Sequence, residues 1–259
     1  VLAAQGLTKR FPGVVALDAV DFSLCAGEVH ALMGENGAGK STLIKCLTGV
    51  YAPDAGEMHL AGARVQPRSP AHAQTLGISS VYQEVNLIPT MSVAENLTLG
   101  RQPRAWYGVK RRAMRERARA AVRRLELDLD VDRRLDFYSI ALQQMVAIAR
   151  AIDEQAKVLI LDEPTSSLDE RETERLFSVM RRLRADGLGI IFITHFLEQV
   201  EAIADRMTVL RNGRLVGTFD AATTTRLELV RHMVGREMER AHHSVGRSPA
   251  RVREATARL

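Results

Sequence analysis

Residues Gly34-Glu35-Asn36-Gly37-Ala38-Gly39-Lys40-Ser41 match GxxxxGK[ST] at every fixed position. The run follows the apolar segment VHALM and precedes TLIKCLTGV, whose apolar residues have helical spacing. A strand, a glycine-rich turn and a helix in that order is the context in which such a loop cradles phosphate. The glycines let the backbone curl so that successive N–H groups point inward, and a helix starting near Lys40 adds its positive N-terminal end. Lys40 is then placed to reach β- and γ-phosphates, and the Ser41 hydroxyl to bind Mg²⁺. A chance glycine turn before a helix is the plain alternative.

The segments around this loop alternate. Ala19–Leu24 and Glu28–Met33 read as strands with Ala26-Gly27 as the turn between them. Glu57–Val65 reads as another strand with a turn near Ala61-Gly62, and Gly77–Tyr82 as a short apolar one. Ser92 followed by Glu95 is a capping-box pattern that starts a helix. Residues 111–126 are rich in helix formers, and 139–154 form a second long helix. KVLIL (157–161) and IIFIT (190–194) are apolar except for Lys157 and Thr194 at their ends, as expected of parallel strands covered on both faces. Residues 170–186 read as a helix with Gly187 just past its end, and Asn212-Gly213 between Met207–Leu210 and Leu215–Phe219 marks a hairpin. Strands alternating with helices predict an α/β core with mostly parallel strands, plus an antiparallel β portion at the start.

Val158-Leu159-Ile160-Leu161 runs into two acids, Asp162 and Glu163. The end of a buried strand puts both at the mouth of the sheet, where open α/β proteins bind ligands. Asp162 is placed to hold Mg²⁺ through water, and Glu163 to orient or deprotonate a water that attacks the γ-phosphate. An acid pair at a strand end also serves to cap a turn, which is the competing reading.

A phosphate loop alone leaves kinases, GTPases and many ATPases open. Ser139-Ile140-Ala141-Leu142-Gln143-Gln144, then Leu161-Asp162-Glu163-Pro164-Thr165, then Ser167-Leu168-Asp169 and finally His195 narrow the choice, with Gln83 earlier in VYQE. In this order the set resembles an ABC-transporter nucleotide-binding domain over residues 1–235. The resemblance implies a P-loop NTPase core of RecA type with an antiparallel β subdomain and a helical subdomain at about 88–155. It implies ATP and Mg²⁺ as ligands and ATP hydrolysis as the activity. Phe11, 29 residues before Lys40, looks like the aromatic that stacks on adenine, although core packing is an alternative. Residues Gly34, Glu35, Asn36, Gly37, Ala38, Gly39, Lys40, Ser41 and Thr42 are the implied ATP contacts. Glu163, His195 and Gln83 are the implied catalytic group, and Ser41, Gln83 and Asp162 the implied metal site. Gln83 would sense Mg²⁺ and the γ-phosphate, and His195 would contact the γ-phosphate. Ser139, Ile140, Ala141 and Leu142 form the implied signature, which caps ATP on an opposing domain, and Asp169 the acid linking two sites. Gln83 as a plain strand-end polar residue and His195 as a surface histidine are the bland alternatives.

The stretches GENGAGKSTLIKCLTGVYAPDAGEM, VYQEVNLIPTMSVAENLTLGR and LILDEPTSSLD resemble the ATP-binding subunits of bacterial monosaccharide importers, the ribose, galactose, xylose and arabinose class. FPGVVALDAVDFSL, GRQPR and QQMVAIARAID look most like the galactofuranose branch. That class implies two such domains fused in one chain, so residues 236–259, with six Arg, two His and few apolar side chains, read as a linker or tail toward a second domain. It also implies transmembrane permease subunits, indirectly a periplasmic sugar-binding protein, and a peripheral place on the cytoplasmic face of the inner membrane. One departure stands out. The usual signature Leu-Ser-Gly-Gly-Gln is here Tyr138-Ser139-Ile140-Ala141-Leu142. Glycine lets backbone approach phosphate closely, so Ile140 and Leu142 obstruct that approach. The resemblance implies a better signature and a weaker phosphate loop in the second half.

Charge separates the remaining readings. Thirty-six Lys and Arg against 31 Asp and Glu leave only +5 over 259 residues, too mild to imply nucleic acid. Residues 101–124, however, hold ten Lys or Arg and one acid, Glu116. An exposed helical face, a position near the anionic inner leaflet or a nucleic-acid footprint would each explain this. Trp106 and Tyr107 are too few for a base-stacking platform. A soluble ABC ATPase acting on nucleic acid or ribosomes is the alternative function, with no nucleic-acid partner expected on the first reading. Cys25 and Cys46 lack CxxC pairing and read as reduced thiols. No run reaches 18 uncharged apolar residues, VLAAQGLTKRF lacks the features of a signal peptide, and the absent initiator Met suggests that residues precede Val1. The expected class is a soluble cytoplasmic domain.

Overall fold

The computed structural model describes residues 1–81, 87–106, 108–152 and 156–234. Along the chain these form β1 (Leu2–Phe11), β2 (Val14–Leu24), β3 (Val29–Met33), α1 (Lys40–Leu47), β4 (Ala55–Leu60), β5 (Ala63–Val65), α2 (Pro70–Leu76) and β6 (Ile78–Val81). There follow α3 (Val93–Thr98), β7 (Arg104–Ala105), β8 (Gly108–Val109), α4 (Arg111–Arg124), a 3₁₀ turn (Leu135–Phe137) and α5 (Ile140–Ala151). The remainder comprises β9 (Val158–Asp162), α6 (Glu170–Ala185), β10 (Gly189–Ile193), α7 (Leu197–Ile203), β11 (Arg206–Arg211), β12 (Arg214–Asp220) and α8 (Arg226–Val234).

The main sheet has the order β12-β11-β3-β10-β9-β6, and all its neighbours run parallel except the β11–β12 hairpin. Its central strands alternate side chains between two cores. Ile191 and Ile193 enter one core with Val158 and Ile160, while Ile190 and Phe192 enter the other with Leu159 and Leu161. That is why neither VLIL (158–161) nor IIFI (190–193) has a polar face. The first core closes against α1 through Leu43, Ile44 and Leu47, and against the antiparallel sheet β2-β1-β4-β5. The second closes against α5 through Met145 and Ile148, and against α6 through Leu176, Phe177, Met180 and Leu183.

The strands expected on either side of Ala26-Gly27 do form, but they do not pair with each other. β2 pairs antiparallel with β1, whereas β3 pairs with β10 and β11 in the other sheet. Burial explains the split. β2 has exposed residues at both its start and alternate later positions, while all five residues of β3 are buried. A half-covered strand suits the antiparallel layer, and a strand covered on both faces suits the parallel one.

Within residues 88–155 lie α3, α4, α5 and the short β7–β8 ladder. Val93, Met114, Ala118, Val122 and Val146 share a third core there. Because α5 contributes Val146 to this core and Met145 and Ile148 to the second, it ties the helical region to the main sheet. The capping box at α3 is formed as expected, with Ser92 Oγ accepting from Glu95 N–H at 3.2 Å and Glu95 Oε2 accepting from Ser92 N–H at 2.8 Å. The proposed linker at 236–259 lies outside the described residues.

Candidate nucleotide site

Register places the functional segments along one edge. Ile193 at the end of β10 pairs with Leu32 of β3 on one side and with Asp162 of β9 on the other. Hence the turns that leave β3, β9 and β10 emerge side by side at the carboxyl edge, the expected ligand-binding edge of an open α/β sheet. β6 ends level with them, since Val81 pairs with Leu161. Gln83 follows but lies outside the described residues.

The loop after β3 requires glycine at two closely packed points. A Cβ at Gly34 (φ +145°) would stand 2.4 Å from the Leu210 carbonyl oxygen. At Gly39 (φ +106°) it would stand 2.7 Å from the Ala16 carbonyl oxygen. Both approaches are closer than carbon and oxygen tolerate, so these positions exclude any other residue without backbone movement. Glu35, Asn36, Gly37 and Ser41 are exposed, Ala38 is buried, and Thr42 is half-buried. Lys40 opens α1, and its ammonium donates to the Gly34 and Glu35 carbonyls at 2.6 and 2.9 Å, folded over the loop. Burial lowers the Lys40 pKa, opposed by the carboxylates of Glu163 and Asp162.

Asp162 is half-buried, and its pKa is raised by burial first and then by repulsion from Glu163, against the attraction of Lys40 and Lys45. A desolvated carboxylate beside a second one is a site that a cation would relieve. Glu163 stands in the left-handed region at φ +46°, uncommon for a residue with a side chain. Its N–H donates to the Ile193 carbonyl at 3.0 Å, which fixes the turn to the end of β10. The Glu163 carboxylate Oε1 lies 3.3 Å from His195 Nδ1, whose side chain is 55% exposed. The loop lysine, both acids and the histidine therefore meet at one edge.

The other candidate residues have local partners. Phe11 ends β1 half-exposed, edge-on to Tyr51 at 5.2 Å, with the Lys9 ammonium 5.6 Å from its ring centre. Ser139 caps α5 by accepting from Leu142 N–H at 3.4 Å, and Asp169 caps α6 by accepting from Glu172 N–H at 2.7 Å. Of the signature residues, Ile140 is 57% exposed, Ala141 is buried, and Leu142 packs partly into the second core. Leu142 thus faces the fold's interior more than the helix tip. Sequence reasoning missed Tyr51, which lies beyond α1, ten residues past the phosphate loop, and meets Phe11 only in the fold. Cys25 and Cys46 are both free thiols, and burial pushes the Cys46 thiol up to about 11.

The ABC transporter family model, whose description reads "ABC transporter", matches residues 17–166. The chain belongs to the ABC transporter family. Among curated relatives of this ABC chain, it is 55% identical over 239 residues to the galactofuranose transporter ATP-binding protein YtfR of Escherichia coli K12. The match spans 92% of this chain and 48% of that protein. The ribose import ATP-binding protein RbsA 1 of Rubrobacter xylanophilus is also 55% identical, with the same coverage of 92% and 48%. The chain thus spans about half the length of the curated relatives it matches. Among solved structures, a nucleotide-free ATP-binding cassette from an ABC transporter superposes with TM-score 0.78 at 25% identity, covering 93% of this chain and 98% of that one. The ADP conformation of another ABC cassette gives TM-score 0.78 at 26% identity, covering 95% and 99%. No helix among the described residues is long and apolar enough to cross a membrane.

Proposed function

We propose that this chain is the ATP-binding and hydrolysing portion of an ABC importer that couples MgATP hydrolysis to monosaccharide uptake, with galactofuranose as the candidate sugar; relatives named for galactofuranose and for ribose match it equally, at 55% identity. The observation that carries the reading is the meeting of the Lys40 loop, the Asp162–Glu163 pair and His195 along one edge of the parallel sheet. In this reading the exposed loop residues Glu35 to Gly37 and the N-terminus of α1 receive the phosphates, and Thr42 completes the contacts. Lys40 exchanges its two loop carbonyls for phosphate oxygens. Phe11, packed T-shaped against Tyr51, is the ring assigned to adenine stacking.

The Ser41 hydroxyl and the Asp162 carboxylate are hard oxygen donors suited to Mg²⁺, with Gln83 as the third expected contributor. Bound there, Mg²⁺ would neutralise phosphate charge and lower the cost of the paired acids. Glu163 accepts a proton from the attacking water, or orients it, as the new phosphorus–oxygen bond forms and the bond to ADP breaks. His195, held beside Glu163, presents its ring toward the γ-phosphate. Ser139 to Leu142 are the residues assigned to the opposing domain's site, and Asp169 is the acid assigned to link the two sites.

The relatives are about twice the matched length, which leaves room for a second ABC domain fused after residue 235. They also support separate permease subunits, a sugar-binding protein reached through them, and a peripheral place at the cytoplasmic face of the inner membrane. The basic segment does not favour a nucleic-acid function, because Arg112 pairs with Glu116, Arg115 and Arg119 with Asp132, and Arg124 with Asp186. The test is purification of the full-length protein from its own host. The expected result is co-purification with a multi-spanning membrane protein. Salt-sensitive binding to RNA or DNA at physiological salt, with no membrane partner, would overturn the importer reading.

A further inference from the structure

Glu163 and His195 are both solvent-facing, with side chains 28% and 55% exposed, so close packing alone does not hold their relative position. A buried polar link lies directly beneath them. Thr165, two residues after Glu163, is 4% exposed, and Thr194, immediately before His195, is 2% exposed. Gln199, in the first turn of α7, joins them: its Oε1 accepts from Thr165 Oγ1 at 2.8 Å and from Thr194 Oγ1 at 2.9 Å. The donor direction is decided at Thr194. Its oxygen already accepts from Phe196 N–H at 3.1 Å, so its hydroxyl proton is available for Gln199. One amide oxygen therefore fastens the turn that carries Glu163 to the strand end that carries His195.

We propose that Gln199 is a positioning residue for ATP hydrolysis, setting the spacing between the Glu163 carboxylate and the His195 imidazole. This rests on the function proposed above. The link acts on turnover rather than on nucleotide affinity, because it engages the turns after β9 and β10 and not the loop after β3. An uncharged acceptor also serves this place well. It satisfies two buried hydroxyls.

The expected behaviour follows from how steeply rate depends on geometry, since a misplacement of about 1 Å can cost 10²-fold. In the full-length protein, Gln199→Leu is expected to lower kcat about tenfold or more, counted per folded molecule, with KM for ATP within about threefold of the parent. Gln199→Glu keeps an oxygen that accepts from both hydroxyls and is expected to recover most of the lost kcat. Thr165→Val keeps the shape, removes one of the two bonds, and is expected to fall between the parent and Gln199→Leu. It carries the test if Gln199→Leu does not fold. A residue that merely stabilises the fold would lower the melting temperature and leave kcat per folded molecule unchanged. Unchanged kcat in Gln199→Leu, or in Thr165→Val where that variant must stand in, alongside an active parent overturns the proposal. An inactive parent that also fails to bind MgATP overturns the function reading itself, a separately visible outcome.

Discussion

Glu163→Gln is expected to bind ATP normally and to hydrolyse it about 10² to 10⁴ times more slowly, the usual cost of losing a positioned base. The amide has nearly the shape of the carboxylate, so the contacts of the turn survive. Its backbone N–H still reaches the Ile193 carbonyl, 3.0 Å away in the parent. What disappears is an oxygen able to take a proton from water, together with the charge facing His195 Nδ1 at 3.3 Å. The check is steady-state phosphate release by the full-length protein, with ATP affinity measured in parallel. Turnover within about threefold of the parent would remove Glu163 from the role of base, given that such a loss normally costs 10² or more.

The second large effect concerns the signature segment. On the composite-site reading, a dimer of this chain alone pairs its own phosphate loop with its own Tyr138 to Leu142. Ile140, 57% exposed in the first turn of α5, stands where that reading needs close backbone approach. It should hold the opposing Ser139 and the helix N-terminus away from the γ-phosphate. Loss of even one transition-state donor costs about 10² to 10³ in rate. The isolated chain is therefore expected to bind ATP but turn it over very slowly. The triple variant Ile140→Gly, Ala141→Gly and Leu142→Gln is expected to raise both dimerisation and turnover. Its stability should fall, because Ala141 is buried, Leu142 packs into the second core, and each glycine costs roughly 0.5–1 kcal/mol in a helix. ATPase rate against protein concentration for parent and variant checks this. A parent chain already running fast, with no gain from the variant, would show that the signature is not limiting.

Most of what builds the edge is legible in the residues. VLIL (158–161) and IIFI (190–193) announce strands covered on both faces because none of their side chains is polar, and β9 and β10 contain these buried runs. Asn212-Gly213 signals its hairpin because both residues must take positive φ, which they do at +50° and +75°. The phosphate loop is legible for a similar reason, since Gly34 and Gly39 are demanded by contacts of 2.4 and 2.7 Å and Gly37 by its positive φ of +80°.

Other parts were hidden by physics that acts at a distance in the chain. β1 is interrupted by register shifts and a positive φ at Gly6, so LAAQGLTKRF shows no clean alternation. Neighbouring β2 and β3 look like a hairpin locally, and only the burial of β3 on both faces sends it to the other sheet. α2 is a single short helix whose signals are Ser69 as its cap and Pro70 in its first turn, easily read as a loop. Gln199 has no motif at all, because its role depends on two threonines 34 and 5 residues away that meet only after the sheet has formed.

The central claim is that the loop from Gly34 to Ser41 is a nucleotide site served by Lys40, and calorimetric titration of ATP into parent and Lys40→Ala tests it most directly. The ammonium that donates to the Gly34 and Glu35 carbonyls is the group expected to move onto phosphate. A charge-assisted hydrogen bond is commonly worth about 1.5 to 3 kcal/mol, which corresponds to roughly ten- to a hundredfold in affinity. The account predicts a loss of that size in Lys40→Ala with the fold intact. Equal ATP affinity in the two proteins would contradict it.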